Sequence, residues 1–74
     1  PATTSVTIEL KDIEVLNNRN VRIAQFNGQE IPVRSIRALD AYRWQLDVNH
    51  LQPGQYLVII QMKTGQQVFR LTKL

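Results

Sequence analysis

The sequence predicts an all-β domain on three observations. Apolar residues recur with a period of two over short runs, turn-forming Asn, Pro and Gly separate those runs, and no helical periodicity outlasts a single turn. Successive side chains of a strand point to opposite faces, so each alternating run offers one apolar face to a core.

Val6, Ile8 and Leu10 alternate with Thr7 and Glu9 in the first strand, and Asn17, Asn18 and Asn20 mark the loop after it. Val21 and Ile23 flank Arg22 in the second strand, and Ile31 and Val33 bracket Pro32 in the third. Proline donates nothing to a ladder, which assigns that third run to a sheet edge or a bulge. Between the two stands Asn27-Gly28. The pair tolerates positive φ at both central positions and predicts a type I′ hairpin joining residues 20–26 to residues 29–34. The run from Ile36 to Tyr42 is too short for a self-supporting helix and reads as a loop or a bent strand. Trp44, Leu46 and Val48 alternate with Gln45 and Asp47 in the cleanest amphipathic strand, which puts Trp44 in the core.

Pro53 and Gly54 mark a turn. Beyond it, Tyr56, Val58, Ile60 and Met62 face one way and Leu57 and Ile59 the other, which predicts a central strand covered on both sides. Thr64 and Gly65 predict a second hairpin, residues 55–63 against 66–73, in which Phe69 and Leu71 alternate with Arg70 and Thr72. About seven short antiparallel strands, with turns every ~8–12 residues, describe a compact Ig-like β-sandwich.

Length limits the chain to one domain, residues 1–74. A core of this size gives a stability on the order of 4–11 kcal/mol, so one truncation in it, at ~2–5 kcal/mol, is a large fraction of the whole. The absence of Cys excludes a disulfide framework, a thiol nucleophile and thiolate metal ligands, and it tilts the source toward bacteria. No stretch approaches the ~20 apolar residues of a membrane-spanning helix, so no membrane insertion is expected. A net charge of +3, with Arg34, Arg37 and Arg43 as its only concentration, falls short of the dense basic stripe that phosphate binding requires, and no nucleic-acid partner is expected.

Candidate chemistry is sparse. His50, the single histidine, rules out a multi-histidine metal site and reads as an exposed loop residue. Neither Ser5 nor Ser35 sits in a nucleophile elbow from which His50 and Asp40 or Asp47 would complete a triad. Glu9, Asp12 and Glu14 lack the spacing of a calcium loop. Gly28, Gly54 and Gly65 are far apart, and none precedes the Lys-Ser or Lys-Thr pair of a phosphate loop. No catalytic site, cofactor or metal is expected.

Pro1 stands before an alternating strand. Val21, Ile23, Gly28, Gln29 and Ile31 fill a V-x-I-x-x-x-x-G-[QK]-x-[VI] pattern, and Leu51, Gly54, Tyr56, Val58 and Ile60 fill L-x-x-G-x-Y with its following strand. Gly65, Phe69, Arg70, Leu71 and Lys73 close the chain as a glycine turn and a basic strand. In this order the motifs resemble the C-terminal sorting domain (type A) of type IX secretion cargo proteins, over nearly the whole length. The chain departs from the pattern in its plain Leu16 to Asn20 stretch, its lack of paired terminal lysines, and Phe26-Asn27 in place of an aliphatic pair.

The resemblance implies a folded signal that passes through the periplasm with its cargo and is recognised by the shuttle and translocon. A cell-surface sortase then removes it, leaving the cargo at the outer-membrane surface or outside the cell. The expected recognition element is the final strand end, Arg70, Leu71, Thr72, Lys73 and Leu74. Arg70 and Lys73 would face an acidic partner, and the strand edge is open to strand addition or to homodimer pairing. The alternative is an Ig-like or carbohydrate-binding accessory module of a surface enzyme, using Tyr42 or Trp44 on sugars.

Overall fold

The computed structural model describes residues 4–74. Its strands are β1 (Ser5–Glu9), β2 (Val21–Gln25), β3 (Glu30–Ile31), β4 (Ile36–Ala38), β5 (Arg43–Asp47), β6 (Gly54–Met62) and β7 (Gly65–Lys73). They form two antiparallel sheets, ordered β1-β5-β4 and β3-β2-β6-β7, and no helix occurs among the described residues. The expected β-sandwich is the observed architecture.

Alternation builds the core. Ile8 and Leu46 from the small sheet, with Val48 just past β5, meet Val21, Ile23, Tyr56, Val58, Ile60 and Leu71 from the large one, with Leu10, Leu16 and Leu51 closing the ends. Ile23, Leu46, Val48 and Ile60 are fully excluded from solvent. Trp44 packs against this cluster as its phase in β5 requires, half-buried, its indole N–H enclosed without an acceptor. The run after Ser35, expected as a loop or a bent strand, forms the short edge strand β4, paired with β5 from Ile36↔Leu46 to Ala38↔Trp44.

The first hairpin lies where Asn27-Gly28 places it, but its turn is different. The Gln25 carbonyl accepts from Gly28 N–H at 2.9 Å, and Gln25 N–H donates to the Gln29 carbonyl at 2.8 Å. Only Gly28 has positive φ, at 93°; Asn27 does not. The loop therefore has three residues, Phe26 to Gly28, a type I turn closed by a glycine bulge rather than the two-residue I′ form. β3 stops at Ile31, well short of residue 34, because Pro32 cannot donate to the ladder.

In the second hairpin Met62 pairs with Gly65, so Lys63 and Thr64 form the turn and Gly65 already belongs to β7. Lys63 N–H donates to Glu14 Oε1 at 2.8 Å, which ties the loop after β1 to this turn. That loop is held by its asparagines: Asn17 N–H donates to Asn20 Oδ1 at 2.8 Å, and Asn20 Nδ2 donates to the Val15 carbonyl at 2.8 Å.

One expectation about β6 needs correction. The strand is central, between β2 and β7, but only its inner face is covered. Leu57 and Ile59 on its other face remain half-buried, because the small sheet packs on the opposite side and the described residues supply no third layer.

Candidate functional site

Register brings the motif residues together. Gln25 pairs with Tyr56, Tyr56 with Leu71, and Gly54 with Lys73. The Phe26 to Gly28 turn, the loop that leads into Gly54 and the end of β7 therefore share one end of the sandwich. Between the turn and the loop lies an open cleft of about 550 Å³, bordered by Phe26, Asn27, His50, Pro53, Gly54 and Tyr56.

Each border has a local cause. Gly28 takes a backbone conformation that side-chain-bearing residues resist, and Asn27 Oδ1 accepts from Gln29 N–H at 3.0 Å, fixing the turn. Leu51, buried, donates its N–H to the Val48 carbonyl at 3.0 Å and closes the turn after β5. Tyr56 is buried, and its hydroxyl donates to the Gln52 carbonyl at 2.6 Å, clamping the loop to the strand it precedes.

His50 is half-buried, not exposed as a loop histidine is expected to be. Its Nε2–H donates to the Pro32 carbonyl at 2.9 Å, while Nδ1 is enclosed without a partner. The proline that ends β3 thus leaves a free carbonyl that the histidine takes up.

The last strand splits into two faces. Leu71 and Lys73 point inward and are buried, whereas Arg70, Thr72 and Leu74 are exposed. Arg70 and Lys73 therefore do not present a common basic surface; the Lys73 ammonium lies 3.5 Å from the Leu74 carbonyl. The Arg70 guanidinium instead sits 5.9 Å from the centroid of the Phe26 ring, within cation–π range. Among the described residues the ion pairs are Arg22–Glu30 at 3.2 Å and Arg43–Asp40 at 2.7 Å, and Arg70 has no carboxylate partner.

Of the other candidates, Arg43 is engaged by Asp40 and Arg37 Nε donates to Gln45 Oε1 at 2.8 Å, so these two arginines are held in separate contacts. Glu14 is occupied by Lys63 N–H, and no cluster of three potential metal ligands occurs among the described residues. Tyr42 is exposed. Pro1 lies outside the described residues. The Phe26–Arg70 contact was not foreseen; its one trace in the sequence is an aromatic residue at the mouth of a hairpin, in phase with the outer face of β2.

A family model described as a secretion system C-terminal sorting domain matches residues 1–73 of the chain. No curated protein and no solved structure matches it.

Proposed function

The chain belongs to the secretion system C-terminal sorting domain family, the sorting signal of type IX secretion, and on that premise we propose that it acts as a folded ligand for the export machinery and performs no catalysis. Cargo carrying the domain crosses the periplasm, is bound through the domain by shuttle and translocon components, and passes the outer membrane. A surface sortase then removes the domain, and the cargo stays at the cell surface or is released.

The observation that carries this reading is the convergence of the motif residues. Gly28 and Gln29 are distant in sequence from Leu51, Gly54 and Tyr56, yet both groups shape the end of the sandwich where β7 finishes. A signal read as a folded object needs such a composite surface, because a linear tag would need no fold to display it.

The test is to fuse the domain to a fluorescent protein bearing an export signal, in a bacterium with a type IX system. Reporter outside the cells is the expected result, and accumulation in the periplasm overturns the proposal. Residues 70–74 should be altered by substitution at Arg70, Thr72 and Leu74 and not by deletion, since deletion also removes the buried Leu71.

A further inference from the structure

Beyond the end of the sandwich, the outer face of the large sheet carries an apolar surface that the fold leaves uncovered. Ile59 pairs with Val68 and Leu57 with Arg70, so these four side chains lie on one face in adjacent rows. Phe26 extends the same face from β2 and reaches Arg70. Phe26 is 56% exposed and Val68 52%, and Leu57 and Ile59 are half-buried. Alternation in β6 puts apolar residues on both faces, the pattern of a strand covered twice, and the described residues cover it once.

The charge on this face is one-sided. Its acid, Glu30, lies at the β3 border and is already held by Arg22, while Arg70 stands among apolar groups with no carboxylate. A second copy laid face to face would bring another Arg70 against the first and no free carboxylate, since its Glu30 is held by Arg22, and this disfavours self-association. A partner that supplies apolar side chains around a carboxylate satisfies both features: it covers Leu57, Ile59 and Val68 and pairs with Arg70. An arginine lying on an aromatic ring at the edge of an apolar patch is the type of anchor that dominates interface energetics.

We propose that the outer face of the large sheet, centred on Phe26, Val68 and Arg70, is a docking surface for an acidic, apolar patch on a protein of the export machinery. The proposal rests on the sorting reading above. It differs from a reading confined to the strand end, since Phe26 and Val68 lie outside residues 70–74.

The experiment uses the reporter fusion with the unaltered domain and with Phe26→Ser, Val68→Ser, Arg70→Glu, Arg70→Lys and, as a charge control in the exposed connection between β3 and β4, Arg34→Glu. Each domain is also purified and its thermal midpoint measured. The expected result is export of the unaltered fusion and of Arg34→Glu. Export falls about tenfold or more for Arg70→Glu and Phe26→Ser, the reach of a single anchor residue, with thermal midpoints near that of the unaltered domain, and Arg70→Lys retains most export.

Unimpaired export of folded Arg70→Glu and Phe26→Ser, alongside the unaltered fusion, overturns the docking surface and leaves the sorting reading standing. Retention of the unaltered fusion overturns both. A loss seen with one reporter protein and absent with a second assigns the face to contacts with cargo and also overturns the proposal. So does sedimentation showing a dimer that Val68→Ser dissolves, because a second copy then covers the face. Should Phe26→Ser fail to fold, the contrast between Arg70→Glu and Arg70→Lys decides alone.

Discussion

The hydroxyl of Tyr56 donates to the carbonyl of Gln52, 2.6 Å away and four residues earlier, so the strand β6 holds the loop that leads into it. The ring is buried, which makes this bond the polar end of a core residue. Tyr56→Phe keeps the packing and leaves the Gln52 carbonyl without its donor. We expect a loss of about 1 kcal/mol, read as a fall in thermal midpoint of roughly 4–8 °C for a domain of this size.

Gly28 has φ of 93°, and a Cβ built there meets nothing within 4 Å. The cost of Gly28→Ala is therefore conformational, about 1–2 kcal/mol. Gly28→Asn should recover part of it, because asparagine tolerates the left-handed region. Denaturant titration of the three proteins checks the order Gly, Asn, Ala.

Leu46 is fully buried in β5, facing the large sheet. Leu46→Ala should cost about 2–5 kcal/mol, enough to populate the unfolded state in a domain this small. Amide hydrogen exchange across β5 and β6 should accelerate together, since the two sheets share one core.

Asp40 sets the acid limit of the β4–β5 turn. Its carboxylate accepts from the Tyr42 and Arg43 N–H groups at 2.9 Å each and from Arg43 Nε at 2.7 Å. The Tyr42 N–H first, then the Arg43 guanidinium, hold it below its ordinary value of 3.8. A carboxyl depressed in the folded state contributes stability above its unfolded value. That contribution disappears as pH falls from 3.8 through the lower folded value. Asp40→Asn retains an acceptor for the backbone and removes the titration, so its unfolding midpoint should change less between pH 5 and pH 2 than that of the unaltered protein, at roughly constant ionic strength.

The fold was legible where local pattern determines it. Alternation located Val6 to Leu10, Val21 to Ile23 and Trp44 to Val48, and the glycines located the hairpins, because faces and turns are properties of short segments. What failed depended on distant partners or on one dihedral angle. Asn27 and Gly28 look identical in a two-residue and a three-residue loop; the difference is the φ of Asn27. His50 reads as exposed because nothing near it in sequence predicts the Pro32 carbonyl it binds. Leu57 and Ile59 announce a strand with two apolar faces, but sequence does not say whether the second cover belongs to the same chain.

The candidate site divides in the same way. Its turn residues were visible as motifs, while their convergence at one end required the Gln25↔Tyr56↔Leu71 register. The alternation in Phe69 to Lys73 already implied that Arg70 and Lys73 point to opposite faces, since they are three residues apart in a strand.

The pairing of β7 with β6 along all nine of its residues, from Gly54↔Lys73 to Met62↔Gly65, has a temporal meaning. β7 is the last of the seven strands to be synthesised, yet it completes the large sheet and delivers Leu71 to the core. A chain abandoned before residue 65 lacks that strand altogether. The assembled sandwich is therefore a receipt for translation carried through Lys73, and a reader of folded shape would distinguish chains made through that residue from chains interrupted before it.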